Sequence, residues 1–222
     1  MSNEMNRPVI YPRALPDDSD ATERLHGYML YLESDGKEGA ALGGPLDFRG
    51  ADLSGMQMGG LFLWYSNFSN VVLDEVNFRK AELTASTLDG ASLCGAYLHR
   101  TQINECEARG AVFTGAFLVR AELHESVFTG ADFRGSTLSG TRLHKADLTG
   151  ADFRNASFGS KDKGSRTLLQ NALLEGCRFE GADGWVVGPA DVGSKENPQI
   201  IGGEELALWF TENGAPNLSV AE

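Results

Sequence analysis

The chain has 222 residues, of which 41% are hydrophobic and 23% are charged, and its formal net charge at pH 7 is −12. This excess of acidic side chains argues against direct nucleic-acid binding, because neutralising phosphates requires clustered Lys and Arg. No apolar run approaches the roughly 18 residues of a membrane span, and the acidic N-terminal segment is unlike a signal peptide. We therefore expect a cytoplasmic protein without membrane contact.

The N-terminal segment is predicted to have two parts. Residues 1–18 are rich in proline and polar side chains and are expected to be loosely ordered. A helix is predicted from Asp20 to Leu32, because Leu25, Met29 and Leu32 form one apolar face and Asp20 is suited to the N-cap. We expect this helix to cover the beginning of the regular segment that follows.

A leucine or phenylalanine recurs at every fifth residue from Phe48 to Phe158, with Met58, Ile103 and Ala108 as the exceptions. The residue two positions earlier is usually small or β-branched. A period of five fits neither a helix nor one long strand, whereas residues two apart in an extended stretch face the same way. The other two residues of each unit, often including glycine, can turn a corner. Short sides joined by corners predict a parallel solenoid with three or four sides per coil.

Several of these units have the sequence ADLSG, ADFRG or ADLTG, as at residues 51–55, 131–135 and 146–150. They resemble the units of the pentapeptide-repeat family, and the resemblance extends over roughly residues 46–184. It implies a right-handed quadrilateral parallel β-helix with about 20 residues per coil. The predicted fold is thus an all-β solenoid of this kind with an N-terminal helical cap and a short C-terminal helix.

The register breaks after Phe158 and resumes at Leu169, so residues 159–168 are predicted to form a projecting loop. Loops of this kind often carry the binding function of a repeat protein, and a neutral insertion is the alternative. The candidate partner-binding residues of the loop are Lys161, Asp162, Lys163 and Arg166.

The segment after the repeats contains a short amphipathic stretch from Gly203 to Phe210, which is predicted to be helical. It is either a second cap or a dimer interface. The resemblance favours a homodimer through the C-terminal end, with Leu206, Trp209 and Phe210 as interface residues. The predicted organisation has three parts, which are residues 1–45, 46–184 and 185–222.

In a coil of about 20 residues, side chains 20 positions apart stack into columns. One column is basic and contains Lys80, Arg100 and Arg120. We expect Glu82 and Glu122 to pair with much of this charge, and a phosphate-binding ladder is the alternative.

Acidic residues are expected on other faces of the solenoid, where they could imitate the charge of DNA. The alternative is that they belong to the repeat consensus and serve solubility. The candidate partner-binding acidic residues are Asp74, Glu75, Glu105, Glu107, Glu125, Asp132 and Asp152.

Three aromatic residues at the start of the repeats, Phe62, Trp64 and Tyr65, lie outside the core register. They are expected to be covered by the N-terminal helix and its connector at residues 33–45. The alternative is an exposed patch, which usually marks a partner surface.

No arrangement of Ser, His, Asp or Cys expected of a nucleophilic enzyme is evident in the sequence. His124 and His144 are expected to stack, but two imidazoles are too few for a metal site. We predict no catalytic residue, no metal and no cofactor.

Two functions remain open at this point. The resemblance implies a non-enzymatic DNA mimic that binds DNA gyrase or topoisomerase IV and protects or inhibits it, as in quinolone or gyrase-poison resistance. The alternative is a general protein-interaction scaffold or an immunity-type partner with no topoisomerase role.

Overall fold

The computed structural model describes residues 11–34, 38–39, 42–162 and 164–221. Regular helices and strands lie outside most of the repeated part, which consists of short extended sides and tight corners. The elements in chain order are α1 (Ser19–Glu33), β1 (Thr167–Leu168), β2 (Asp183–Val187), β3 (Ala190–Asp191), β4 (Ile200–Ile201), α2 (Gly203–Glu212) and β5 (Asn217–Ala221).

Each coil pairs with the next through parallel bridges between residues 20 apart, such as Asp52 with Val72 and Val72 with Ser92. The Leu73 amide donates to the Ser92 carbonyl at 2.7 Å, and the Ser92 amide donates to the Val71 carbonyl at 3.0 Å. Bridges recur every five residues along the chain. A coil therefore has four sides, which the residues alone did not decide.

We number the four sides by their central residues in the first coil. Sides 1, 2, 3 and 4 are centred on Phe48, Leu53, Met58 and Leu63. The central residue of every unit from the first coil to Phe158 is buried, as the five-residue period predicted.

The corners are tight turns that the sequence accommodates with glycine. At the first corner the Ala51 amide donates to the Phe48 carbonyl at 3.0 Å, and Gly50 has φ of +81°. A positive φ at the third residue is the requirement of a type II turn. Arg100 and Arg120 adopt similar angles, with φ of 58° and 56°, so charged residues can occupy corners at some cost in backbone strain.

The core of side 2 contains a ladder of phenylalanine rings stacked from coil to coil. The ring centroids of Phe113 and Phe133 are 4.8 Å apart, those of Phe133 and Phe153 are 4.9 Å apart, and those of Phe153 and Phe179 are 5.2 Å apart. Each stacked pair contributes about 0.5–1.5 kcal/mol beyond the burial of its area.

Helix α1 packs against the first coil. The Tyr28 hydroxyl donates to the Gln57 carbonyl at 2.6 Å, and burial raises the pKa of Tyr28 to about 12. The N-cap is Asp18, whose carboxylate accepts from the Ala21 amide at 2.8 Å. The prediction of Asp20 as N-cap was wrong, because Asp18 has the extended backbone that a cap requires and Asp20 already lies in the first helical turn.

Residues 11–18 are more ordered than the sequence predicted. The Arg13 amide donates to the Asp52 carbonyl at 2.7 Å, and the Asp52 amide donates to the Ala14 carbonyl at 3.0 Å. This antiparallel bridge satisfies backbone groups at the open edge of the first coil, which would otherwise lack a partner. The rest of the segment predicted to be loosely ordered lies outside the described residues.

The regular stacking is interrupted after Phe158 and resumes after Arg166, so the interruption is two residues shorter than the predicted loop. After it, bridged residues are 26 positions apart, as in Arg142 with Leu168, so the insertion adds six residues to a coil of 20. Thr167 is already an inward residue, and its hydroxyl donates to the Leu138 carbonyl at 2.6 Å. The small side chain before a central leucine therefore restores the register.

The C-terminal part extends the stack. Strands β1, β2 and β5 form a parallel sheet in that order, and β3 pairs with β4 in antiparallel fashion. Helix α2 packs on the last coil, where the Phe210 ring lies 5.1 Å from the Phe179 ring. Within the described residues, neither helix combines the length and the apolar character needed to span a bilayer.

Candidate binding surfaces

The first candidate surface is an aromatic patch, which we define as Phe62, Trp64 and Tyr65 on side 4 of the first coil. Their exposed fractions are 59%, 38% and 69%. The Phe62 and Trp64 rings meet edge to face at 6.4 Å, and the patch borders a hollow of about 430 Å³. The prediction that these side chains are covered was wrong. The chain before the patch contacts the Phe62 backbone, since the Gly44 amide donates to its carbonyl at 2.6 Å.

The acidic candidates Asp132 and Asp152 stack on side 2, and both are paired. Arg134 Nη2 lies 2.6 Å from Asp132, and Arg154 Nη2 lies 2.6 Å from Asp152. Hydrogen bonds from these arginines hold the pKa of each carboxyl below its usual range. The neighbouring arginines therefore compensate most of the negative charge of this row.

The other acidic candidates are distributed over several faces. Glu125 pairs with Lys145 at 2.9 Å at the corner after side 4, and Glu105 stacks in the same column. Glu107 pairs with Arg109 on side 1.

The remaining two acidic candidates lie at the end of side 2. Asp74 accepts hydrogen bonds from the Ser92 hydroxyl at 2.5 Å and the Cys94 amide at 3.0 Å, and Glu75 occupies the adjoining corner. Taken together, the acidic candidates form a patchwork over the four sides.

The loop lies against the stack. The Lys161 ammonium is 5.4 Å from the centre of the Trp185 ring in β2, a cation–π distance. Arg166 Nε donates to the Lys161 carbonyl at 3.3 Å, and the Asp162 carboxylate accepts from a serine hydroxyl within the loop. Lys163 lies outside the described residues. The contribution of Trp185 was not foreseen, because no periodicity links it to the loop.

The basic column lies at the corner between sides 3 and 4. The pairing of Glu122 differs from the one expected. Glu122 pairs with Arg142, one coil further on, at 2.7 Å. It therefore forms no salt bridge with Arg120. The 20-residue column rule could have identified Arg142, since it bridges directly to Glu122. The neighbouring His99 has a pKa lowered by burial and by the positive charges of Arg79, Arg100, Arg120 and Lys80.

The predicted dimer residues lie at the end of the stack. Leu206 and Phe210 are fully buried in the core of their own chain, and Trp209 packs partly against it, 6.0 Å from the Phe179 ring. Their apolar character is therefore explained by packing within the chain. The exposed apolar residue of α2 is Leu208, at 58%.

Two of the three thiols are protected. Cys106 and Cys177 are buried, and burial raises the pKa of Cys106 to about 12, which suppresses the reactive thiolate. No group of three potential metal ligands occurs within the described ranges.

The four-sided stack of parallel bridges and inward Leu or Phe residues defines a β-helix built from five-residue units. The family model for pentapeptide repeats matches this sequence in eight copies, over residues 59–90, 77–115 and 116–155. Residues 59–155 therefore match the pentapeptide-repeat family, and this match implies a right-handed β-helix.

Several solved structures are similar to this chain. Full-length QnrB1, a plasmid-mediated fluoroquinolone resistance protein, is 16% identical over 68% of this chain and 84% of its own, with a TM-score of 0.40. HetL from the cyanobacterium Nostoc sp. strain PCC 7120, involved in heterocyst differentiation regulation, is 26% identical over 68% of this chain and 79% of its own, with a TM-score of 0.26. A pentapeptide repeat protein from the Arabidopsis thaliana thylakoid lumen is 31% identical over 47% of this chain and 66% of its own, with a TM-score of 0.23. No curated protein sequence matches.

Proposed function

We propose that this chain is a non-enzymatic binding protein that holds a protein partner through the aromatic patch. The observation that supports this proposal most strongly is that Phe62, Trp64 and Tyr65 are exposed together on side 4 of the first coil. Large aromatic side chains are costly to leave in water and are enriched among the residues that dominate protein interfaces. The partner would offer an apolar segment to the hollow beside them.

The β-helix serves in this proposal as a rigid support. The matched family model describes a repeat, and function in such folds belongs to surfaces grafted on the scaffold. We infer that α1 and the segment from β3 onward cap the two ends of the stack. We also place the protein in the cytoplasm.

The test compares partner capture by the intact chain and by a Trp64→Ala, Tyr65→Ala double variant. The matched control is Phe117→Ala, which removes an exposed aromatic ring from side 3. Captured proteins are identified and then titrated in purified form. We expect at least about tenfold weaker binding for the double variant and little change for the control. Equal binding by all three proteins would exclude the patch as the contact surface.

DNA gyrase or topoisomerase IV is the second candidate partner, with the chain occupying the place of duplex DNA. The observation that favours it is the net charge of −12, which complements a surface evolved to bind phosphates. Charge complementarity of this kind gives fast association that weakens in salt. The pairing of Asp132 and Asp152 with arginines weighs against a continuous negative stripe.

Gyrase supercoiling of relaxed plasmid, with and without a quinolone, tests this candidate. The matched variant deletes residues 160–165, because removing six residues brings Leu169 five positions after Phe158 and restores a 20-residue coil. If the loop binds the enzyme, the intact chain inhibits or protects gyrase and the deletion variant does so less. Absence of any effect of the intact chain at tens of micromolar would rule out this candidate.

We further propose a homodimer through the C-terminal end. With Leu206 and Phe210 buried, Leu208 and the edge strand β5 remain as contact surface. Sedimentation of the intact chain and of the Leu208→Glu variant measures the oligomeric state of each. A monomer at high protein concentration in both cases would contradict the proposal.

A further inference from the structure

A groove of about 640 Å³ runs along side 4 at the end of the basic column. Its volume lies in the range of small-molecule sites. One wall is the corner column, a second is the outward row of side 4, and the loop closes one end. The residues that matter here are Arg100, Arg120, Arg142, Arg166, Leu168 and Val187.

The loop reaches the groove because glycine occupies the next position of the column. A Cβ on Gly140 would lie 2.7 Å from the Gly164 carbonyl oxygen and 3.1 Å from Arg120 Cγ. The Gly140 amide instead donates to the Ser165 carbonyl at 2.9 Å. The loop backbone thus takes the place of a side chain in the column, and this contact positions Arg166 at the groove.

The groove contains more positive than negative charge. Arg142 is paired with Glu122 at 2.7 Å, whereas Arg100, Arg120 and Arg166 form no salt bridge with any carboxylate in the described parts of the chain. Other arginines of this acidic protein, such as Arg134, are held by a carboxylate two residues away. Three guanidinium groups that have no carboxylate partner in the described residues, all in one hollow, are therefore an exception to the surrounding charge pattern.

We propose that this groove binds a small organic phosphate. Guanidinium groups present forked donors that match phosphate oxygens, and Arg100, Arg120 and Arg166 supply several of them around one volume. Leu168 and Val187, which pair across β1 and β2, add an apolar wall for the organic part. The enclosure of the groove by the loop and column favours a compact anion over an extended acidic peptide.

Calorimetric titration of the full chain with phenyl phosphate, and separately with inorganic phosphate, tests this inference. We expect one site that prefers phenyl phosphate, because only that probe uses the apolar wall. Arg120→Gln and, independently, Arg100→Gln should each weaken binding by about tenfold or more. The matched control Arg134→Gln, on side 2, should bind as the intact chain does.

Three results would overturn the inference. The first is no binding of phenyl phosphate at about 10 mM, a concentration at which a site with a Kd of about 1 mM would be almost fully occupied. The second is an equal loss in Arg134→Gln and Arg120→Gln, which indicates an unspecific charge effect. The third is tighter binding of an octaglutamate peptide than of phenyl phosphate, which assigns the groove to acidic protein segments. None of these results depends on the identity of the protein partner.

Discussion

Replacing Phe133 with alanine removes the middle ring of the side 2 ladder. Phe133 is fully buried, with the rings of Phe113 and Phe153 at 4.8 and 4.9 Å on either side and the Phe128 ring at 5.5 Å. Truncation of a buried phenylalanine costs about 3–5 kcal/mol, and the cost rises when the surroundings cannot collapse. Hydrogen bonds fix the spacing of the coils above and below, so we expect a loss of about 4–5 kcal/mol in the free energy of unfolding.

A second Phe→Ala substitution separates burial from ring stacking. Phe117 stacks on Tyr97 at 5.3 Å, a geometry close to that of the ladder, but it lies outside the coil and is 45% exposed. Phe117→Ala should cost about 1 kcal/mol, the value of an aromatic pair with little buried area.

Equilibrium unfolding in urea, followed by far-ultraviolet circular dichroism at 25 °C, measures both losses. We expect a lower midpoint for Phe133→Ala with an unchanged dependence of the unfolding free energy on urea concentration. This expectation is refuted if the two variants lose the same free energy, or if Phe133→Ala loses less than about 2 kcal/mol. Either result would mean that the coils close around the missing ring.

Three further predictions use simple assays. In the native protein a thiol reagent at pH 8 should modify Cys94, which is half-buried, and reach the buried Cys106 only after denaturation. Asp132→Asn should lower the free energy of unfolding at pH 7 by at most about 1 kcal/mol, the value of a solvent-screened pair. Because Arg134 lowers the pKa of Asp132, this difference is present above the unfolded carboxyl's pKa of about 4 and vanishes as pH falls through the folded value, which a pH series of urea titrations measures. Gly110→Ala should cost about 1 kcal/mol in the same urea titration, since φ there is +62° although a Cβ meets no neighbour within 4 Å.

The core of the stack could be predicted because one rule fixes it at every position. Two inward residues per five-residue unit leave a single register, and a slip by one residue would expose the whole set. The central residues from Phe48 to Phe158 are accordingly buried without exception. The 20-residue spacing of the bridges then follows from four such units per coil, although the residues themselves also allowed three.

The surface was less predictable because nearness along the chain does not decide contact there. Glu122 was expected to pair with Arg120, two residues earlier, but a corner separates them, and Arg142 lies directly across the inter-coil bridge. The aromatic patch was expected to be covered, and its exposure depends on where the preceding connector runs. A repeat specifies its interior, whereas non-repeated segments determine what covers the outside.

The recurring sequence Asp-Phe-Arg shows why net charge is a poor guide to this surface. It occurs at residues 47–49, 132–134 and 152–154, and in each case the arginine Nη2 lies 2.6 Å from the carboxylate two residues before it. Each unit of this kind compensates its own charge, whatever the total of the chain. The uncompensated positions lie at the corner between sides 3 and 4, where Arg100 and Arg120 have no carboxylate in the same column one coil away. Anionic ligands should therefore be sought at this corner and beside the loop, where positive charge is left unpaired, and the total of −12 does not by itself place a negative stripe on any side.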